Sequence, residues 1–191
     1  MMHNEFKNAV ELIKSALKEK TGNNIIIAID GPSTSGKTTL SKALAEALDC
    51  NVIAVDDFFL QPHQRTPQRL NTAGGNFDKE RLLQEVMIPL SNGTGFLYRP
   101  FDCKACTLLD PVKVEPKPIT VIEGVYSCHP DLQKFYDLMV FVKTDKETQL
   151  QRLTQRSPQM LSRFIGQWIP MEERYFNTLG IEEYCHLTIK T

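Results

Sequence analysis

Short apolar runs alternate with longer stretches of mixed apolar and polar residues along most of the chain. Residues 25–29 form a nearly all-apolar run rich in β-branched side chains, which is typical of a strand buried on both faces. Runs of similar character follow at residues 51–55, 119–124, 136–143 and 185–190. Because strands separated by helices pair in parallel through right-handed crossovers, the pattern predicts an α/β protein with a five-stranded parallel sheet.

Helical periodicity fills the segments between these runs. Phe6, Val10, Ile13 and Leu17 recur at helical spacing, which predicts an amphipathic helix over residues 4–19. Gly22 is the predicted end of that helix. Further helices are predicted over residues 36–50, 78–90, 145–156 and 160–178, the last with a break at 166–170.

The connecting segments are predicted to be irregular. Residues 58–76 contain Pro62, Pro67 and the pair Gly74-Gly75, which indicates a loop. A short strand near Phe96–Tyr98 is the one regular element expected within residues 91–118. Ligands of open parallel sheets bind beyond the carboxyl ends of the strands, so the residues that follow the apolar runs are the first candidates for a site.

Composition narrows the class of protein. The 191 residues suffice for one domain with a hydrophobic core, and a net charge of −1 gives no indication of nucleic-acid binding. No run approaches about 18 apolar residues, and the N-terminus lacks the apolar core of a secretory signal, so no membrane span is expected. Five cysteines, an odd number, are not a disulfide framework and favour a reduced, cytoplasmic protein.

The sequence GPSTSGKTT, at residues 31–39, directly follows the first apolar run. It matches the pattern G-x-x-x-x-G-K-[ST], in which a glycine-rich turn and the start of the next helix cradle phosphate groups. Lys37 is expected to reach the outer phosphates, and Thr38 to offer its hydroxyl to Mg²⁺. The residues predicted to bind a nucleotide are Gly31, Pro32, Ser33, Thr34, Ser35, Gly36, Lys37, Thr38 and Thr39.

Carboxylates follow two other predicted strands. Asp56 and Asp57 follow the run 51–55, which we expect to neighbour the strand that leads into the phosphate loop. A carboxylate there can take the proton from an attacking hydroxyl or hold the water shell of a metal ion. Glu123 follows four apolar residues and is expected at the same rim of the sheet, as a second anchor for Mg²⁺.

The order of these motifs resembles the uridine kinase-like family, which includes uridine–cytidine kinases, nicotinamide riboside kinases and phosphoribulokinase. The resemblance rests on GPSTSGKTT, VDDFF, YRPFD and IEGVY, followed by a helix that carries arginines, and it covers about residues 24–176. It implies a single P-loop NTPase domain over residues 1–191, of the nucleoside-monophosphate-kinase type. Helices would cover both faces of the sheet, and a small lid would lie at about residues 152–170.

The resemblance also implies roles for individual residues. Asp56 would be the catalytic base, and it would hold Mg²⁺ together with Thr38 and Glu123. Lys37 and the lid arginines Arg152 and Arg156 would stabilise the phosphoryl group during its transfer.

An acceptor pocket is implied as well. Its expected members are Asp78, Tyr98, Arg99, Asp102 and Arg163. Asp78 could equally be the N-cap of the helix that begins there, and the sequence leaves both roles open.

The implied reaction is the transfer of a phosphoryl group from ATP, with Mg²⁺, to the primary hydroxyl of a small molecule. A nucleoside such as uridine or cytidine is the expected acceptor, and another sugar-like or vitamin-like alcohol, such as nicotinamide riboside or pantothenate, is the first alternative. Neither a nucleic acid nor a membrane is an expected partner. ATP or GTP as donor, and the number of subunits, including a homo-oligomer, stay open.

Two rival classes are less consistent with the residues. A nucleotide-sensing module without catalysis would need only the phosphate loop, so the presence of Asp56 and Glu123 argues against it. A GTPase is disfavoured because VKTD, at residues 142–145, lacks the asparagine of the guanine-reading motif. The pair Cys103 and Cys106 has metal-ligand spacing, but no second such pair accompanies it, so a structural zinc is not expected.

Overall fold

The structure is a computed structural model that describes residues 2–18, 20 and 24–191. Nine strands are present in that part of the chain: β1 (Ile25–Asp30), β2 (Cys50–Ala54), β3 (Phe96–Tyr98), β4 (Phe101–Asp102), β5 (Thr107–Leu108), β6 (Val112–Val114), β7 (Ile119–Glu123), β8 (Leu138–Lys143) and β9 (Leu187–Lys190). Five of them form one parallel sheet in the order β2-β7-β1-β8-β9, which confirms the predicted α/β fold. The pairs β3–β6 and β4–β5 form two small antiparallel ladders beside it.

Ten α-helical segments are described, and most are short. They are α1 (Met2–Leu17), α2 (Lys37–Ala47), α3 (Pro67–Asn71), α4 (Lys79–Leu82), α5 (Ile88–Ser91), α6 (Pro130–Gln133), α7 (Lys146–Arg156), α8 (Leu161–Arg163), α9 (Ile169–Leu179) and α10 (Ile181–Tyr184). Wider helical turns at Leu83–Met87 and Phe164–Trp168 join α4 to α5 and α8 to α9. Gly22, the predicted end of α1, lies outside the described residues.

Apolar side chains cover both faces of the sheet, as the runs of β-branched residues predict. Along β1, Ile26 and Ala28 join one hydrophobic cluster, whereas Ile27 and Ile29 join the other. Successive side chains of a strand point to opposite faces, so a strand buried on both sides carries apolar residues at nearly every position. The helix α1 packs on α2 over the second cluster with the predicted face, which consists of Phe6, Val10, Ile13 and Leu17.

The strand order corrects one prediction. β7 lies between β1 and β2, so the strand that leads to Asp56 is not a neighbour of the strand that leads into the phosphate loop. Local hydrophobic patterns do not encode which strands pair, because that choice depends on crossover connections between distant segments. As a result, the end of β7, which carries Glu123, lies between the phosphate loop and Asp56. This arrangement favours a shared binding site at that edge of the sheet.

Three further predictions are wrong in detail. Residues 91–118, for which one short strand is predicted, contain the four strands β3 to β6, which pair in the two small ladders. The segment predicted as a loop over residues 58–76 contains a helical turn at Pro62–Gln64 and the helix α3, and each has a proline in its first turn. The predicted break at 166–170 is instead the wide turn Phe164–Trp168, through which the helix continues into α9. Pro170 sits in the first turn of α9, where the lack of an N–H group costs little.

Candidate active site

The phosphate loop connects β1 to α2 at the carboxyl edge of the sheet. Gly31 and Gly36 have φ angles of 141° and 101°, which L-residues with a side chain rarely adopt. A Cβ atom on Gly31 would lie 2.1 Å from the carbonyl oxygen of Val142, so the loop passes too close to β8 for any side chain. The N-terminus of α2 begins at Lys37 and adds the positive end of its dipole to the loop.

Lys37 is almost fully buried beneath the loop. Its ammonium group donates to the carbonyl oxygens of Gly31 and Pro32, at 2.8 and 2.9 Å. The ammonium is therefore held by the same loop whose amide groups would surround a phosphate.

A hydroxyl and two carboxylates face this loop. Thr38 Oγ1 donates to Glu123 Oε1 at 3.0 Å, which joins the first turn of α2 to the end of β7. Asp56 lies in the helical turn Val55–Phe58 that follows β2. Asp56 is open to solvent through a cleft but is otherwise densely surrounded by protein atoms.

Burial raises the pKa of the Asp56 and Glu123 carboxyl groups, and the nearby ammonium of Lys37 offsets part of that rise. Arg156 acts on both in the same sense as Lys37. A raised pKa suits a group that must accept a proton from an alcohol, because the proton is then held more firmly after transfer.

A single cleft of about 530 Å³ unites most of the predicted nucleotide and catalytic residues. Its lining includes Ser33, Thr34, Gly36, Lys37, Thr38, Thr39, Asp56, Glu123, Arg152 and Arg156, with Phe164 from the segment predicted to form a lid. Gly31, Pro32 and Ser35 belong to the loop but do not line the cleft. The donor set of hydroxyl and carboxylate oxygens beside a phosphate loop fits Mg²⁺, which prefers hard oxygen ligands.

The two arginines predicted for the lid and Arg163, predicted for the acceptor pocket, occupy different positions. The Nη1 atom of Arg152 donates to the carbonyl oxygen of Thr34 at 3.2 Å and to Thr191 Oγ1 at 3.1 Å, so this arginine is tied to the loop. Arg156 is exposed and lines the cleft one helical turn further along α7. Arg163 stacks over the Trp168 ring at 4.8 Å and does not line the cleft.

The structure shows Asp78 as a helix N-cap. Its side chain is buried, accepts from the backbone N–H of Arg81 at 3.1 Å and accepts from Gln64 Nε2 at 2.8 Å. Tyr98 is also buried, and its hydroxyl donates to Asp57 Oδ2 at 3.0 Å. Asp57 is therefore held by a partner, whereas its neighbour Asp56 opens into the cleft.

The side chains of Arg99 and Asp102 form hydrogen bonds with the backbone of the β4–β5 hairpin and of the residue that follows it. The guanidinium of Arg99 donates to the carbonyl oxygens of Leu109 and Leu108, at 2.7 and 3.1 Å. Asp102 Oδ1 accepts from the backbone N–H groups of Lys104 and Ala105 and so fixes the hairpin turn. Neither residue lines the cleft, nor do Asp78 and Tyr98, and their roles in acceptor binding stay predictions.

Sequence reasoning missed Asp30, the last residue of β1. It is fully buried, and its carboxylate accepts from the N–H groups of Gly31, Tyr126 and Cys128 and from the Tyr175 hydroxyl. Burial raises its pKa to about 6, although these hydrogen bonds counteract the rise. A signal was available, because Asp30 is the one charged residue in the apolar run that leads into the loop.

Glu172 of α9 was missed as well. Its Oε2 accepts from the backbone N–H of Ser33 at 2.9 Å, and its Oε1 accepts from the Ser33 hydroxyl. No local pattern could have found it, since 139 positions separate the two residues along the chain.

The sheet order and the phosphate loop define a P-loop kinase fold. A structure described as a possible uridine kinase, from Bacillus stearothermophilus, superposes with a TM-score of 0.73 over 97% of this chain and 99% of that one. Sequence identity in that comparison is 21%, so the likeness shows the fold alone.

Sequence comparisons give the family. A model of the phosphoribulokinase/uridine kinase family matches residues 26–160. The uridine kinase of Ligilactobacillus salivarius (strain UCC118) is 31% identical over 142 residues, which cover 69% of this chain and 66% of that protein, just under two thirds of its length. The uridine kinase of Staphylococcus epidermidis (strain ATCC 12228 / FDA PCI 1200) is 26% identical over 167 residues, or 78% of this chain and 80% of that protein.

The chain belongs to the phosphoribulokinase/uridine kinase family, and it is a phosphotransferase. Within the described ranges, no helix has both the length and the apolar character needed to cross a membrane.

Proposed function

We propose that the protein transfers the γ-phosphoryl group of ATP, with Mg²⁺, to the primary hydroxyl of a small-molecule alcohol. The observation that carries the proposal is the position of Asp56, which opens into the same cleft as Lys37, Thr38 and Glu123. A carboxylate beside a phosphate cradle can receive the proton of an attacking hydroxyl, whereas nucleotide binding alone needs no such group.

Several residues of the cleft have distinct parts in this reaction. Amide groups of the loop and the Lys37 ammonium bind the phosphates, and Asp56 orients the acceptor hydroxyl and takes its proton. Thr38 and Glu123, with Asp56, would hold Mg²⁺, which supplies positive charge to the phosphate oxygens when it is bound. Arg156 offsets charge on the transferred group, and a lid that includes Phe164 excludes water that would otherwise hydrolyse the donor.

A nucleoside such as uridine or cytidine is the acceptor that we propose, because both curated relatives described above are named uridine kinases. Nicotinamide riboside or pantothenate remains the alternative, since the predicted acceptor residues Asp78, Tyr98, Arg99, Asp102 and Arg163 do not line the cleft. All five cysteines are unpaired thiols, which favours a reducing, cytoplasmic setting.

The test is an assay of ADP release with Mg·ATP and a panel of alcohols: uridine, cytidine, nicotinamide riboside and pantothenate. We expect one of the pyrimidine nucleosides to stimulate turnover and Asp56→Asn to lower that rate by about 10²–10⁴-fold. Asp57→Asn is the matched control. Because Asp57 accepts a hydrogen bond from Tyr98, this variant should lose much less activity than Asp56→Asn. ATP binding without any acceptor-stimulated turnover would instead support a nucleotide-sensing module.

A further inference from the structure

Glu172 lies outside the cleft but is bonded to its wall. The residue is buried on α9, far along the chain from the phosphate loop, and both of its carboxylate oxygens accept from Ser33. Ser33 lines the cleft. Burying a carboxylate costs free energy unless hydrogen-bond donors satisfy it, so the hydrogen bonds from Ser33 are needed to keep Glu172 buried beside the loop.

The bond from Ser33 N–H to Glu172 fixes one peptide unit of the loop. In a trans peptide the N–H and C=O groups point in opposite directions, and all peptide bonds in the described part of the chain are trans. The carbonyl of this unit belongs to Pro32, and it accepts from the Lys37 ammonium at 2.9 Å. Glu172 and Lys37 therefore hold the same peptide plane from its two sides.

The next peptide unit is fixed in a similar way. Gln149 Nε2 donates to the carbonyl oxygen of Ser33 at 3.1 Å. By the same geometry, the N–H of Thr34 points away from Gln149. Thr34 has a φ of 61°, a left-handed conformation that costs energy in a residue with a branched side chain, so the fold must impose it.

We propose that Glu172 is a positioning residue for donor binding, which acts through the Pro32–Ser33 peptide to hold the loop and the Lys37 ammonium where the phosphates of ATP bind. This inference rests on the proposed use of ATP as the donor. Burial raises the pKa of Glu172, and the two hydrogen bonds from Ser33 and the charge of Lys37 counteract the rise, which is consistent with a carboxylate stabilised by the loop.

The experiment compares Mg·ATP affinity, measured by titration calorimetry without acceptor, in wild type and four variants. Glu172→Ala removes both acceptors and should weaken binding by about tenfold or more, the effect of one hydrogen bond to a charged acceptor. Glu172→Gln still has an oxygen for the Ser33 N–H and an amide for its hydroxyl, so affinity should stay within about threefold of wild type. Glu172→Asp retracts the carboxylate by one methylene and should weaken binding even if the alanine variant fails to fold.

Glu173→Ala is the fourth variant and the matched control. Glu173 is the next residue of α9, is paired with Lys146 at the surface and should not alter ATP affinity. In steady-state assays the KM for ATP should rise in Glu172→Ala while the KM for the acceptor changes little. A merely structural role would instead lower the melting temperature and leave both KM values unchanged.

The outcomes separate the two proposals. If Glu172→Ala and Glu172→Asp bind ATP as wild type does, or if Glu172→Gln binds about tenfold more tightly, the positioning role is overturned, the latter because the carboxylate would then be a competitor of phosphate. Wild-type protein that binds Mg·ATP but phosphorylates no alcohol would refute the transferase function, while the affinities would still decide the role of Glu172. Wild-type protein that does not bind ATP would overturn both.

Discussion

Thr38 and Glu123 are joined by a hydrogen bond of 3.0 Å between the threonine hydroxyl and one carboxylate oxygen. The contact connects the first turn of α2 with the end of β7, the strand paired to β1. Because β7 also pairs with β2, whose end leads to Asp56, this bond lies between the phosphate loop and the proposed base. Oxygen atoms that meet in this way are suited to share a hard cation.

The first prediction concerns this pair. Glu123→Gln keeps the shape of the side chain but removes its charge, so we expect kcat to fall by about 10²-fold and the Mg²⁺ concentration for half-maximal rate to rise. Thr38→Val should have a similar effect, whereas Thr38→Ser keeps the hydroxyl and should retain most activity. A Mg²⁺ titration of all three variants checks the prediction, which fails if the glutamine variant shows wild-type dependence on Mg²⁺.

Arg156 carries the second prediction. Its side chain lines the cleft and lowers the pKa of both Asp56 and Glu123 from the values that burial alone would give. Arg156→Ala should lower kcat by about 10–100-fold, because a fixed positive charge near the transferred phosphoryl group is lost. The kcat of Arg156→Lys should lie between those of wild type and Arg156→Ala, since an ammonium keeps the charge but lacks the guanidinium fork.

The control for this prediction is Lys146→Ala on the same helix. Lys146 is an exposed cation paired with Glu173, away from the cleft lining, so its loss should leave kcat near that of wild type. Equal losses in the Arg156 and Lys146 variants would show that general charge, rather than position, sets the rate.

Tyr175 carries the third prediction, which concerns stability. Its hydroxyl donates to the fully buried Asp30 at 2.8 Å, and its ring packs against Tyr126. Tyr175→Phe keeps the ring but leaves the carboxylate with one donor fewer, which should lower the free energy of unfolding by about 1–3 kcal/mol. The melting temperature should fall by roughly 2–10 °C. Tyr184→Phe is the control, because Tyr184 is 61% exposed and should change stability little.

Much of the fold and of the phosphate loop could be predicted from the sequence, because these features depend on local patterns of residue types. The two faces of β1, the amphipathic face of α1 and the loop Gly31–Gly36 all follow from residue types at fixed spacing. The carboxylates at the ends of β2 and β7 follow too, since parallel strands bring their carboxyl ends to one edge.

What the sequence could not show depends on contacts between distant segments. The place of β7 between β1 and β2 is set by crossovers, and the bond from Glu172 to Ser33 requires that α9 returns to the loop. Asp78 illustrates an ambiguity of a different kind, because a carboxylate before a helix can serve as its cap or as a ligand. The cap is now visible, whereas the ligand role still needs an acceptor-bound measurement.

His129 gives the last prediction, on pH. The imidazole is buried beside the rings of Phe77 and Tyr175, and its Nδ1 accepts from the backbone N–H of Asp131 at the start of α6. Burial lowers its pKa from the ordinary value of 6.5 to about 4, and Lys79 and Arg69 add to that effect, whereas the carboxylates of Asp131 and Glu80 oppose it.

Because the unfolded chain binds the proton more readily, His129 contributes stability above pH 6.5 that is lost as the pH falls towards 4. His129→Asn preserves a good N-cap but cannot titrate, so its stability should decline less on acidification than that of wild type. Urea unfolding of both proteins between about pH 7.5 and about pH 4.5 measures the difference. Parallel curves would contradict the prediction, because they would mean that His129 has the same pKa in the folded protein as in the unfolded chain, with Asp131 and Glu80 fully offsetting the effect of burial.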